Sequence, residues 1–222
     1  MSKLYENCDS WSLEALGSFE SAVKRLAVQF QGKNAFDFDH ELELTAHLMV
    51  WTRESLAVTA DLRGTSVCLA RMEWPCATRR PIDLVLWNPG KAKEAHSQWG
   101  TSRGRLAKGI PLLAAVQIKR GGGRVTPWVR TRKDLDDLEA VYLAERLQKP
   151  VIYFLEYVDH DLRDTGGNTG VYNEVRINLD RWCSEAPESR RAFVVCRDKV
   201  GFAYPRGAWL VAPLPPGTIE KV

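Results

Sequence analysis

The sequence predicts an α/β protein, a mixed sheet flanked by helices, with a core in the order helix, strand, strand, strand, helix, strand. Three observations predict it. Residues 11–30 repeat apolar side chains at helical spacing, apolar runs bounded by Gly and Pro follow after Gly64, and a helix-period segment separates the third and fourth of those strands. A helix in that place implies a crossover, hence a parallel pair in an otherwise antiparallel sheet. The expected organisation is an N-terminal helical segment (1–36), the core (37–160) and a β-rich C-terminal extension (161–222) packed on it.

In the first helix Trp11, Leu13, Leu16, Phe19, Val23, Leu26 and Phe30 recur, from Leu13 on, three and four residues apart, the period of one buried face. Gly32-Lys33-Asn34 breaks it. A second helix is expected from about 39 to 58, with Asp37 or Asp39 as N-cap and Leu42, Ala46, Met49 and Leu56 among its apolar positions. Residues 66–74 read as one strand stopped by Pro75, and 81–87 as the next, closed by Asn88-Pro89-Gly90. The polar, basic stretch 91–109 reads as a long loop. The third strand, 111–119, is nearly all apolar and therefore central and covered on both faces. Gly121-Gly122-Gly123 ends it, and a helix over 131–147 leads to a fourth strand over 151–157. A polar loop is expected at 164–168, and strands at 171–179, 192–196 and 209–214.

Composition excludes several classes. The 222 residues are 45% hydrophobic and 27% charged, ordinary for a soluble globular chain. No apolar run approaches the roughly 20 residues of a membrane-spanning helix. The first residues lack the basic-then-apolar order of a signal peptide, so a cytoplasmic location is expected. Five scattered cysteines form no Cys-x-x-Cys pair, which argues for reduced, mostly buried thiols rather than zinc. No Gly-x-x-x-x-Gly-Lys-Ser/Thr loop supports nucleotide hydrolysis.

Net charge is only +3, but it is segregated. From Arg79 to Lys133 there are thirteen Lys/Arg against Asp83 and Glu94, so that stretch carries +11 and the remainder −8. Such separation is the electrostatic footprint of a nucleic-acid binder. Arg103, Arg105, Lys108, Arg120, Arg124, Arg130, Arg132 and Lys133 are the candidate contacts to nucleic acid. Trp99 and Trp128, set among them, are candidates for stacking on bases, packing being the alternative.

Chemistry enters through Asp83 and Lys119. Asp83 sits near the start of an apolar strand, and Gln117 and Lys119 emerge from the end of the next, 34 and 36 residues on. Strand alternation turns Gln117 and Lys119 to the same face. Metal-assisted phosphodiester cleavage needs such a set: oxygens that hold a hard cation, and an ammonium near the attacking water or the phosphate. Glu41, in a stripe with Thr45, Leu48 and Thr52, is the favoured extra acid; Glu43, grouped with His47 and Glu54, looks solvated, and Glu73 is a further candidate. Lys133 and Asp136 are placed to reach the site, whereas the acids Asp134, Asp136 and Asp137 suit a helix N-terminus.

Pro81-Ile82-Asp83-Leu84-Val85-Leu86 and Val116-Gln117-Ile118-Lys119, with the helix glutamate before them and Lys133–Leu138 after, resemble the PD-(D/E)xK nuclease superfamily. The resemblance spans roughly residues 37–157. It implies a restriction-endonuclease-like core, with Asp83, Gln117, Lys119 and Glu41 as catalytic residues. It further implies Mg2+ or Mn2+ on Asp83, Gln117, Glu41 and the Ile118 carbonyl, and DNA as substrate in a restriction, defence, repair or transposition role. A homodimer is an expected arrangement. Gln117 departs from the pattern, since the family has Asp or Glu there; an amide ligates without charge and weakens metal binding. The alternatives are a nuclease-fold protein that binds nucleic acid or scaffolds a complex without cutting, and an RNA-directed nuclease.

Overall fold

A computed structural model describes residues 10–31, 40–54, 59–62, 65–68, 70–74, 80–88, 112–121, 126–144, 149–158, 168–186, 188–196, 209–212 and 218–221. Helix α1 (Ser10–Gln31) is followed by α2 (Glu41–Arg53). Strands β1 (Thr59–Leu62), β2 (Thr65–Cys68), β3 (Ala70–Trp74), β4 (Ile82–Trp87) and β5 (Leu112–Gly121) come next. Helix α3 (Trp128–Ala144), β6 (Val151–Val158), α4 (Asn168–Glu185), β7 (Arg190–Cys196), β8 (Trp209–Ala212) and β9 (Thr218–Lys221) follow among the described residues.

The centre is a five-stranded mixed sheet in the order β3-β4-β5-β6-β7, so spatial neighbours are also sequence neighbours. β3–β4 and β4–β5 are antiparallel; β5–β6 and β6–β7 are parallel. The sequence leads to the first parallel pair through α3. The second was not expected, because 171–179 read as strand whereas it belongs to α4. Val175 and Ile177 are β-branched and favour strand locally, but Val175, Leu179, Trp182 and Cys183 are buried at helical spacing, and that stripe prevails. The extension past 160 is therefore not purely β: it supplies a second crossover helix and the fifth strand of the main sheet.

Two same-direction crossovers put their helices on one face of a sheet, and Trp182 Nε1 of α4 donates to Glu139 of α3 at 2.7 Å. Leu135, Leu138 and Val141 of α3 are buried on that side. The other face is met by α1, whose Phe19 packs edge-on against Tyr153 at 4.8 Å between ring centroids. Tyr153 also donates to Glu20 at 3.0 Å. Residues 112–118 of β5 are all buried, as expected of a central strand covered twice.

Helix α2 differs from its expected form. Its N-cap is His40 in an extended conformation, with the backbone N–H bonded to Glu43 at 3.0 Å; residues 37 and 39 lie outside the described residues. It ends at Arg53, not near 58, and its inner face is Leu44, Thr45, Leu48 and Thr52, with Leu42 exposed. The two buried threonines are tolerated because each hydroxyl bonds a carbonyl one turn back, Thr45 to Glu41 and Thr52 to Leu48. The run read as one strand over 66–74 divides between two sheets, β2 pairing with β1 and β3 with β4. The long basic loop at 91–109, with Trp99, lies outside the described residues.

The buried and exposed faces yield a direct test. Phe154 is fully buried on β6, whereas Leu143 on α3 is exposed. Phe154→Ala should lower the unfolding free energy by about 3–5 kcal/mol, and Leu143→Ser should change it by less than about 0.5 kcal/mol. Urea denaturation of both variants decides; similar losses would mean α3 is turned the wrong way.

Candidate active site

The register brings the sequence candidates together. Leu84 pairs with Val116 in the antiparallel β4–β5 ladder, so the next step along puts Asp83 beside Gln117. The Ile118 N–H donates to Asp83 Oδ2 at 2.6 Å. A residue's N–H and C=O leave an extended strand on the same edge, so the Ile118 carbonyl also faces β4. Gln117 is buried, and Lys119, two residues on, shares its face.

Glu41 reaches the same place from the first turn of α2. Its Oε1 accepts from the Arg120 backbone N–H at 3.2 Å and lies 3.6 Å from Lys119 Nζ. The stripe running through Thr45, Leu48 and Thr52 is thus the face that delivers it. Glu43, expected on a solvated face, is instead engaged at the helix cap, where it accepts from the His40 backbone N–H. Glu73 stands on β3 between the Met72–Leu84 and Trp74–Ile82 pairs, across from Asp83. Its φ of 49° is positive, a conformation that disfavours a side chain by about 1–3 kcal/mol.

Two acids the sequence reading did not place here are central to the cluster. Asp134 on α3 is 2% exposed, 3.4 Å from Lys119 Nζ and 3.0 Å from Arg80 Nη2. Its signal was present: Thr131, Asp134, Leu135, Leu138 and Val141 form one buried helical stripe, and a helix-dipole account of the early acids concealed it. Glu156 on β6 is fully buried and pairs in register with Lys119, while its Oε1 accepts from the Thr126 N–H. A lone acid inside the apolar run 151–157 was the available sign.

Lys133 and Asp136 do not join the site. Both are exposed, and Asp136 pairs with Arg132 at 2.8 Å. Of the basic candidates, Arg120 adjoins the site through its backbone, Arg130 is exposed on α3, and Arg132 is held by Asp136 and Glu139. Arg103, Arg105, Lys108 and Arg124 lie outside the described residues. Trp128 packs half-buried against the core, which favours its packing role. Cys183 is a buried free thiol pushed up to about 12 by burial, inert at neutral pH.

Electrostatics follow from five carboxyls, Glu41, Glu73, Asp83, Asp134 and Glu156, whose charges act on one another and on Lys119 and Arg80. Burial pushes Asp83 up to about 7, opposed by the Ile118 hydrogen bond and Lys119, and assisted by the like charges of Glu41 and Glu73. Burial pushes Glu156 up to about 7 against the Thr126 bonds and Lys119, and raises Asp134 against Lys119 and Arg80. Excess negative charge of this kind is relieved by protons or by a cation. Among the described residues no three His, Cys, Asp or Glu side chains are grouped to hold a metal ion by themselves. The oxygen donors present nonetheless fit Mg2+, which needs only one or two carboxylates and otherwise keeps its waters or takes substrate phosphates.

A scan of protein-family models, a search of curated proteins and a search of solved structures each returned no match.

The raised carboxyls set a pH dependence. An acid whose pKa is higher folded than unfolded binds its proton more tightly in the fold, so its contribution is full at low pH and is lost as pH rises through the folded value. For Glu156 the window runs from 4.5 to about 7. Stability should fall by on the order of a few kcal/mol across that window, and Glu156→Gln should flatten the decline. Denaturant titrations at pH 5 and pH 8 measure it; an unchanged slope in the variant would rule out a buried, protonated Glu156.

Proposed function

We propose that the protein is a metal-dependent nuclease, with a restriction-endonuclease-like core, that hydrolyses phosphodiester bonds in DNA. The observation that carries this reading is the convergence of Asp83, Gln117, Lys119 and Glu41 at the junction of β4, β5 and α2. Asp83, the Gln117 amide, Glu41 and the Ile118 carbonyl would hold Mg2+ or Mn2+, which supplies an electrophile for the phosphate and an acidified water. The chain's own part is orientation. β4 and β5 fix Asp83 relative to Gln117, the Ile118 N–H holds the Asp83 carboxylate, and the Lys119 side chain is set close enough to act on it.

The +11 charge of residues 79–133 supports a polyanionic substrate. Arg120, Arg124, Arg130, Arg132, Lys133, Arg103, Arg105 and Lys108 are the proposed phosphate contacts, which position the strand without reading its sequence. Cleavage of both strands would be served by a homodimer.

Purified protein incubated with plasmid, linear and single-stranded DNA, and with RNA, in Mg2+ or Mn2+ should cut DNA in preference. Asp83→Asn and Lys119→Met should each lower the rate by about 100-fold or more. Variants as active as the parent would dismiss the site, and cleavage of RNA alone would change the substrate.

Gln117 favours a second reading, a nucleic-acid-binding protein on the same core that does not cut. It contributes no charge where the motif expects an acid, and metal affinity is correspondingly lower. Gln117→Glu should therefore shift half-maximal Mg2+ dependence of cleavage to lower concentration. Salt-sensitive DNA binding with no cleavage by the parent or by this variant would establish the second reading instead.

A further inference from the structure

Lys119 is held from two sides, and the two partners are unlike. We propose that Asp134 is a positioning residue for Lys119, pinned by Arg80, and forms a fixed anchor that leaves Glu41 as the partner able to let go. This rests on the nuclease reading above.

Lys119 Nζ lies 3.4 Å from Asp134 Oδ2 and 3.6 Å from Glu41 Oε1. The Lys119 side chain is 21% exposed, Asp134 2% and Glu41 44%. Asp134 is on a short side chain in a buried helix stripe, and its second oxygen meets Arg80 at 3.0 Å. Arg80 is itself immobilised by two hydrogen bonds to Asp137 and one to the Lys133 carbonyl at 3.3 Å. Withdrawing Asp134 would strand a buried charge, which is strongly unfavourable. Glu41 is half-exposed on a longer side chain in the first turn of α2, where water can replace its contacts, so its release costs little.

The asymmetry has a chemical use. An ammonium neutralised by two rigid carboxylates has no charge left for an incoming phosphate, whereas one with no fixed partner is not oriented. One anchor that stays and one partner that yields satisfies both needs. Arg80 lies three residues before Asp83 in the chain, so the anchor also ties the start of β4 to α3 and holds Lys119 in register with Asp83.

The test compares Asp134→Asn, Asp134→Glu and Arg80→Gln with the parent, and with Arg25→Gln as a control that breaks an exposed ion pair elsewhere. Metal-dependent DNA cleavage should show kcat lowered by about 10- to 100-fold in Asp134→Asn with KM little changed. Asp134→Glu should recover part of the loss, Arg80→Gln should show a smaller loss of the same kind, and Arg25→Gln should match the parent. Nitrogen-15 spectra of the lysine ammonium groups give a readout independent of cleavage: a slowly exchanging Lys119 signal should be present in the parent and in Arg25→Gln, and lost in Asp134→Asn. Parental kcat in both Asp134→Asn and Arg80→Gln would overturn the proposal. If the parent cuts no nucleic acid, the nuclease reading fails, and the lysine signal alone decides whether Asp134 positions Lys119: its persistence in Asp134→Asn, or in Arg80→Gln should the first variant not fold, overturns the anchor.

Discussion

The Lys119 ammonium, largely withdrawn from water at the end of the central strand, must be compensated, and the surrounding elements are arranged by that need. Glu41 reaches it from α2, Asp134 from α3, and Glu156 lies beside it on β6. Each carboxylate comes from a different element, so the charge cluster acts as a junction between the sheet and both helical layers. Removing the ammonium would leave the buried Asp134 and Glu156 without its compensation, and removing the acids would leave a largely withdrawn cation unpaired; each half is costly without the other. Packing of the apolar core confers stability on the sheet, while the charge balance specifies how α2 and α3 meet its open end.

How much was legible in the sequence follows from which forces act locally. β4 and β5 were readable because their apolar runs are bounded by Pro, Asn and Gly, and alternation puts Gln117 and Lys119 on one face. Glu41 was readable because three neighbours, Thr45, Leu48 and Thr52, continue one helical stripe. α4 was not, because Val175 and Ile177 favour extended chain locally and only the buried stripe against β7 overrides them. Glu156 was hidden for a different reason. Its burial depends on the Thr126 N–H and on Lys119 across the ladder, contacts that exist only once α3 has carried the chain across. Asp134 was hidden because a helix starting near Thr131 would place it in the first turn, where an acid needs no other partner; the helix starts at Trp128, and proximity to Lys119 is a tertiary fact.

Gln117 concentrates the functional question into one atom. With an amide there, Asp83 has one fewer like charge beside it than an acid at 117 would impose, yet its carboxyl is still raised by burial, Glu41 and Glu73. The site already carries more carboxylates than two cations can balance, so a neutral residue at 117 moderates repulsion that another acid would deepen. A neutral residue at 117 is therefore compatible with the rest of the cluster. Across β4, Glu73 adds a carboxylate held on a left-handed backbone, a conformation retained although glycine would adopt it more easily.

The consecutive order of the sheet also governs what happens while the chain is incomplete. β6 is apolar along nearly its whole length, and β7 is the strand that covers its outer edge. A chain ending before α4 would possess Glu41, Asp83, Lys119, Asp134 and Glu156, but would present β6 as a long, bare, hydrophobic edge. Such edges recruit strands from other molecules. During synthesis the last crossover therefore serves as a guard: every residue of the charge cluster emerges before the strand that makes the cluster's scaffold safe from self-association.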